Sequence, residues 1–166
     1  MEEKFIVTTE QVDKLISLTH STLDILNCEL LIVDNMHLFK ETDFYKSLND
    51  KSKVTLENFM YYTTSLFIAS HNLIVILLNN LKGETIRENA IYFSSTLFHE
   101  LRHAWQFKKE LFDFKEAMQP NDENYLKQPH EMDALAYEVF ATNKFKNEIC
   151  DLFEIDQNWV VTYPWS

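Results

Sequence analysis

His99, Glu100 and His103 stand in the run His-Glu-Leu-Arg-His, inside a stretch of helical character. On an α-helix, residues four apart differ by about 400° in direction and roughly 6 Å in height, so both imidazoles can converge on one metal ion. Glu100 points about 100° away from His99 and cannot share that stripe. It can instead reach a water in an open coordination position, where a carboxylate serves as general base. Zinc suits such donors. A catalytic zinc site keeps three protein ligands and one water, whose pKa falls from about 15.7 to roughly 7. The spacing assigns His99 and His103 as zinc ligands and Glu100 as the acid/base residue. A helix that merely carries two histidines on one face has the same spacing, so a third ligand is needed to separate the two readings.

The best source of that ligand is Gln128-Pro129-His130-Glu131-Met132-Asp133-Ala134. Pro129 is favoured in the first turn of a helix. Glu131 is the expected ligand, because small Ala134, one turn on along the same face, allows a close helix crossing. Asp133 and His130 remain alternatives, and a carboxylate in a first turn is also explained by the helix dipole.

Several elements must position these groups. Thr8-x-x-Gln11 is a capping-box pattern opening an amphipathic helix expected over Thr8 to Asn27. Glu29 to Asp34 reads as a short buried strand, a short helix is expected around Leu38 to Leu48, and Asn49 to Lys53 reads as a polar break. Thr63 to Ala69 and Leu73 to Leu78 form an expected hairpin with Asn72 in the turn. After a turn at Asn79 to Gly83, Thr85-x-x-Glu88 opens a long helix expected from Ile86 to near Phe112, with the histidines deep inside it. Gln119 to Asp122 marks a loop, Pro129 starts a helix to about Glu148, and Asp151 to Ser166 is a tail whose aromatics, Trp159, Tyr163 and Trp165, are expected to dock on the domain or serve as a partner surface. The order implies an α+β fold: a small mixed sheet packed on a long helix, followed by a helix with the third ligand.

At 166 residues and 46% hydrophobic content, the chain is expected to form one domain, residues 1–166. The net charge of −11 and only two arginines argue against nucleic acid held by its phosphates. Scattered acidic residues read as a solvated surface rather than a DNA mimic. The longest aliphatic run, Leu73 to Leu78, is far short of a membrane span, and a cytoplasmic protein is expected. Cys28 and Cys150 are far apart and read as free thiols. With Gly83 the only glycine, tight turns are expected to rely on Asn, Asp and Ser.

From Thr63 to about Glu148 the chain resembles the zincin metallopeptidases. The likeness is to the gluzincin-like group, in which His-Glu-x-x-His is completed by a glutamate on a later helix. His99-Glu100-x-x-His103-Ala104-Trp105-Gln106 followed by Glu131-x-Asp133-Ala134 is similar especially to small single-domain metallopeptidases of bacteria and their phages. It is similar more loosely to those that inactivate phage repressors. The resemblance implies that the strand before the active-site helix, Leu73 to Leu78, is the sheet edge along which a peptide lies extended. Larger members place an aspartate four residues after the ligand glutamate to bond a ligand histidine. Leu135 stands there, so Asp133 or Gln106 is expected to supply that bond. A Tyr or His steadies the oxyanion in that family; His71, Tyr125 and Tyr137 are candidates, each equally explained as structural. Phe98, Leu101, Ala104 and Trp105 are expected core contacts, and Arg102 is expected either to pair with a carboxylate or to be solvated.

The expected function is zinc-dependent hydrolysis of peptide bonds in a peptide or protein substrate. The alternatives are a zinc-containing module that binds without catalysis and a regulatory protease for one cytosolic partner such as a repressor. Oligomeric state has no signal in the sequence.

Overall fold

The computed structural model describes residues 4–24, 27–113 and 121–163. Its elements run α1 (Thr9–Thr19), β1 (Glu29–Val33), α2 (Met36–Lys40), α3 (Asp43–Ser47), α4 (Asp50–Tyr61), β2 (Ser65–Ile68), β3 (Leu73–Leu77), α5 (Ile86–Lys108), α6 (Pro129–Lys144) and α7 (Lys146–Phe153). The fold is α+β, with a three-stranded mixed sheet ordered β1-β3-β2. β3 pairs in parallel with β1 and antiparallel with β2.

This order corrects the expected sheet edge. β3, Leu-Ile-Val-Ile-Leu, is buried at every residue and lies in the centre of the sheet. A strand covered on both faces reads as a continuous apolar run, and that is what the sequence shows. Ile74 and Ile76 face a core built with Leu15 of α1, Phe93, Leu97 and Leu101 of α5, and Ile149 of α7. Leu73, Val75 and Leu77 face a second core with Phe39, Tyr45, Leu56 and Met60 from α2, α3 and α4. The strands at the edges are β1 and β2.

Local chemistry explains the other differences. α1 stops at Thr19 because hydroxyls compete for its last carbonyls: Ser17 donates to the Lys14 carbonyl, Thr19 to Ile16 and Thr22 to Thr19. The single helix expected over Leu38 to Leu48 divides at Thr42, whose hydroxyl caps Tyr45. The polar run Asn49 to Lys53 is not a break but the start of α4, with Asn49 capping Ser52. α5 ends at Lys108, short of Phe112, in a Schellman closure: the Leu111 N–H donates to the Gln106 carbonyl and the Glu110 N–H to Phe107, with Glu110 left-handed at φ 54°. The helix expected to reach Glu148 breaks at Phe145 into α6 and α7. Gln119, Pro120 and Trp165 lie outside the described residues.

Glycine scarcity has visible effects. Left-handed positions fall to Asn72, as expected, and also to Glu110 and Glu154. Gly83 is kept for room, since a Cβ there would lie 2.7 Å from the Asn89 backbone nitrogen in the first turn of α5. The tail docks: Arg87 pairs with Asp156, Lys146 lies 5.1 Å from the Trp159 ring centre, and Asn143 exchanges two hydrogen bonds with the Val161 backbone. Cys28 and Cys150 are free. No described helix is long and apolar enough to cross a membrane.

Ala134 is fully buried on α6, between Glu131 and Glu138, which both reach His99 of α5. Ala134→Leu should therefore wedge the two helices apart at a cost of about 1–3 kcal/mol. Thermal unfolding checks this, and an unchanged midpoint would show that the crossing is not tight.

Candidate metal centre

His99 and His103 rise from α5 one turn apart, and Glu131 meets them from the first turn of α6. The two histidine Nε2 atoms are 3.0 Å apart. Glu131 places Oε2 3.2 Å from His99 Nε2 and Oε1 3.3 Å from His103 Nε2. Three donor atoms around an ion with bonds of about 2.0–2.1 Å in a tetrahedron stand roughly 3.3–3.4 Å apart. The histidine pair, and each histidine with the carboxylate oxygen nearest it, fall on or just inside that edge, and one donor atom from each of the three residues lies within 4.8 Å of the others. Two imidazoles and a carboxylate suit zinc and neighbouring transition ions, whereas magnesium and calcium take all-oxygen shells. The three side chains are thus a donor set able to hold a metal ion.

The surrounding hydrogen bonds fix which imidazole nitrogen faces the centre. Gln106, fully buried, donates through Nε2 to the His130 carbonyl at 2.9 Å and to Asp133 Oδ2 at 2.6 Å. Both are acceptors, so the amide cannot be flipped, and its Oε1 must accept from His103 Nδ1 at 2.9 Å. His103 Nδ1 therefore carries a proton, and Nε2 is the nitrogen that faces Glu131 and is available to a metal ion. Asp133 is locked in turn by Arg102, which donates from Nε at 2.8 Å and from a terminal nitrogen at 3.0 Å. The Arg102 guanidinium lies 4.1 Å from the centre of the Trp105 ring. Asp133 is thereby occupied as an outer anchor, and His130 lies outside the three-donor group, its Nε2 3.6 Å from Glu131 Oε1. Of the two residues expected to bond a ligand histidine, Gln106 does so directly and Asp133 holds Gln106.

His99 is oriented by a residue that the sequence reading missed. Glu138 accepts from His99 Nδ1 at 3.0 Å. It follows Glu131 by seven residues, two turns along the same face of α6, and that spacing was visible once Glu131 set the phase of the helix. Burial works against a charged His99, yet the carboxylates of Glu131 and Glu138 carry its pKa well above the ordinary value. Burial likewise penalises the Glu131 carboxylate, but hydrogen bonds from His103 and His99 hold its pKa far below the usual range.

Glu100 is 4% exposed, and burial raises its pKa. Its Oε1 accepts from the Ser65 hydroxyl of β2 at 2.5 Å. Its Oε2 has no hydrogen-bond partner among the described residues. Glu100 and the three donors line a cleft of about 390 Å³, walled by Phe59, Tyr62, Leu126 and strand β2. Of the three oxyanion candidates, Tyr125 lines this cleft, with burial and the nearby Glu131 charge raising its pKa. His71 instead packs edge-on to Phe44, and the Tyr137 hydroxyl is 2.8 Å from Thr22 Oγ1. Phe98, Leu101 and Ala104 are buried core residues, and Trp105 packs against that core.

No protein-family model, curated protein or solved structure matches this chain. Function resides in the site rather than in the fold alone.

Orienting bonds to metal-binding imidazoles typically account for 10–100-fold in affinity. Gln106→Leu and Glu138→Ala should each weaken zinc binding by about that factor while the chain stays folded. Competition with a chromophoric chelator measures it, and unchanged affinity in both variants would remove the orienting role.

Proposed function

We propose that the chain is a zinc-dependent peptidase with a zincin-like arrangement, in which His99, His103 and Glu131 hold the ion and Glu100 is the general acid/base. One observation carries the reading: a buried glutamate beside a three-donor cluster, with one oxygen held and the other without a partner among the described residues. A buried carboxylate oxygen without a partner costs stability, and such expense is typical of a site that uses the group. A module that only held metal would have no need of it.

Zinc, when bound, polarises a carbonyl and lowers the pKa of a water. The residues of the chain supply the rest. Burial raises the proton affinity of Glu100, so its Oε2 is suited to take a proton from the attacking water and return it to the departing amine. The Tyr125 hydroxyl, held neutral, is the cleft donor best placed to steady negative charge on the scissile oxygen.

The cleft also favours an extended peptide. The Leu77 N–H donates to the Thr64 carbonyl, so Thr64, Leu66 and Ile68 direct their backbone groups toward β3. By alternation the backbone groups of Ser65 and Phe67 face the outer side of β2, where an added strand would pair by displacing the Thr63 hydroxyl that now meets both groups of Ser65. The expected peptide edge thus moves from Leu73–Leu78 to β2. Two free thiols accord with a reducing compartment and a cytoplasmic site of action.

Glu100→Gln should retain one zinc per chain and lose about 10²–10⁴-fold in cleavage rate on a library of internally quenched peptides. Elemental analysis and fluorescence read the two halves separately. Full activity in the variant would refute the acid/base assignment, and no cleavage by the zinc-loaded parent would refute the peptidase.

A further inference from the structure

β2 reads Ser-Leu-Phe-Ile, and its first residue is out of character for a strand. Serine has poor strand propensity and gains little from burial, yet Ser65 is only 9% exposed. Its side chain and that of Phe67 lie on the α5 side of the sheet, while Leu66 and Ile68 pack into the opposite core. A valine there would fill the space and leave Glu100 with both oxygens unpartnered in a buried setting. The hydroxyl instead approaches Glu100 Oε1 at 2.5 Å, within the short range expected when the acceptor is an ionised carboxylate.

We infer that Ser65 is a positioning residue: its hydroxyl fixes Glu100 by Oε1 and reserves Oε2 for proton transfer. The inference deepens the peptidase reading and rests on it for its catalytic meaning. Ser65 has a second attachment. The Thr63 hydroxyl donates to the Ser65 carbonyl at 3.0 Å, steadying the start of β2. The main chain of Ser65 lies on the outer edge of β2, and its side chain holds the base.

The test uses the full chain loaded with one equivalent of zinc and the same quenched peptides. Ser65→Ala should keep its zinc and its KM within about twofold, while kcat falls about 10–100-fold, the loss expected when a catalytic group is misplaced by about an ångström. Ser65→Thr, which restores a hydroxyl on a β-branched strand former, should recover most of the rate. Loss confined to KM, or no loss, would overturn the inference. A second measurement does not need activity. In the metal-free chain, Ser65→Ala should lower the unfolding midpoint by about 2–6 °C, and by far less in a Glu100→Ala background. Equal shifts in both backgrounds would show that Ser65 does not hold Glu100, whatever the chain hydrolyses. Coupling without any cleavage would instead keep the contact and discard the peptidase.

Discussion

The site depends on the burial of the Glu131 carboxylate. At 3% exposure it has almost no water to solvate its charge, and an unpaired charge in such a place costs several kcal/mol. The chain compensates with the imidazoles of His99 and His103 on α5, whose Nε2 atoms lie 3.2 and 3.3 Å from its two oxygens. Those donors reach Glu131 only if α5 and α6 cross closely, which is why a fully buried alanine lies between Glu131 and Glu138. The crossing therefore serves two ends. It closes the core and brings three donors able to hold a metal ion into one cluster.

The same constraint explains the polar chain behind the cluster. An imidazole that faces the centre with a lone pair must donate from its other nitrogen, and that proton needs a buried acceptor. Glu138 is the acceptor for His99. For His103 the acceptor is Gln106, and a buried amide has donors of its own to satisfy. They go to the His130 carbonyl and to Asp133, whose charge Arg102 then balances near the surface. Each member is present because the one before it has a polar atom left over, and the sequence ends where a guanidinium can meet both a carboxylate and an aromatic ring. Such a connected network has one arrangement, so it fixes tautomers as well as positions.

The legibility of these features in the sequence follows their range. His99, Glu100 and His103 interact through one turn of helix, so spacing alone relates them. Glu131 was reachable because Pro129 and Ala134 mark the start and the close-packing face of α6. Gln106 was legible as an alternative, being three residues from His103 on the same helix. Strand order was not, because hairpin neighbours in sequence say nothing of which strand has a partner on its other side. The all-apolar run of β3 did hold the answer, since only a strand covered on both faces has no reason to alternate. α4 was missed because its buried face is sparse, with Leu56, Phe59 and Met60, and its polar first turn looks like a loop. Ser65 lies 35 residues before Glu100, and no periodicity connects them.

Three elements thus make one site, and each is attached by a different chemistry. α5 brings the imidazoles and Glu100, α6 brings Glu131 through an ionic contact, and β2 is tied in through a neutral hydroxyl. The difference has a consequence for how the parts act. An ionic contact buried between two helices is costly to break and suits a permanent frame. A single hydroxyl bond contributes about 1–3 kcal/mol, enough to choose one rotamer of a carboxylate but not to hold a strand in place. β2 is held in the sheet by its ladder to β3, so the Ser65 bond is left to set the position of Glu100 alone. A rigid frame with a base positioned by one hydroxyl is the division of labour that the proposed hydrolysis needs, because the three donors must stay fixed while Glu100 takes up a proton and gives it back.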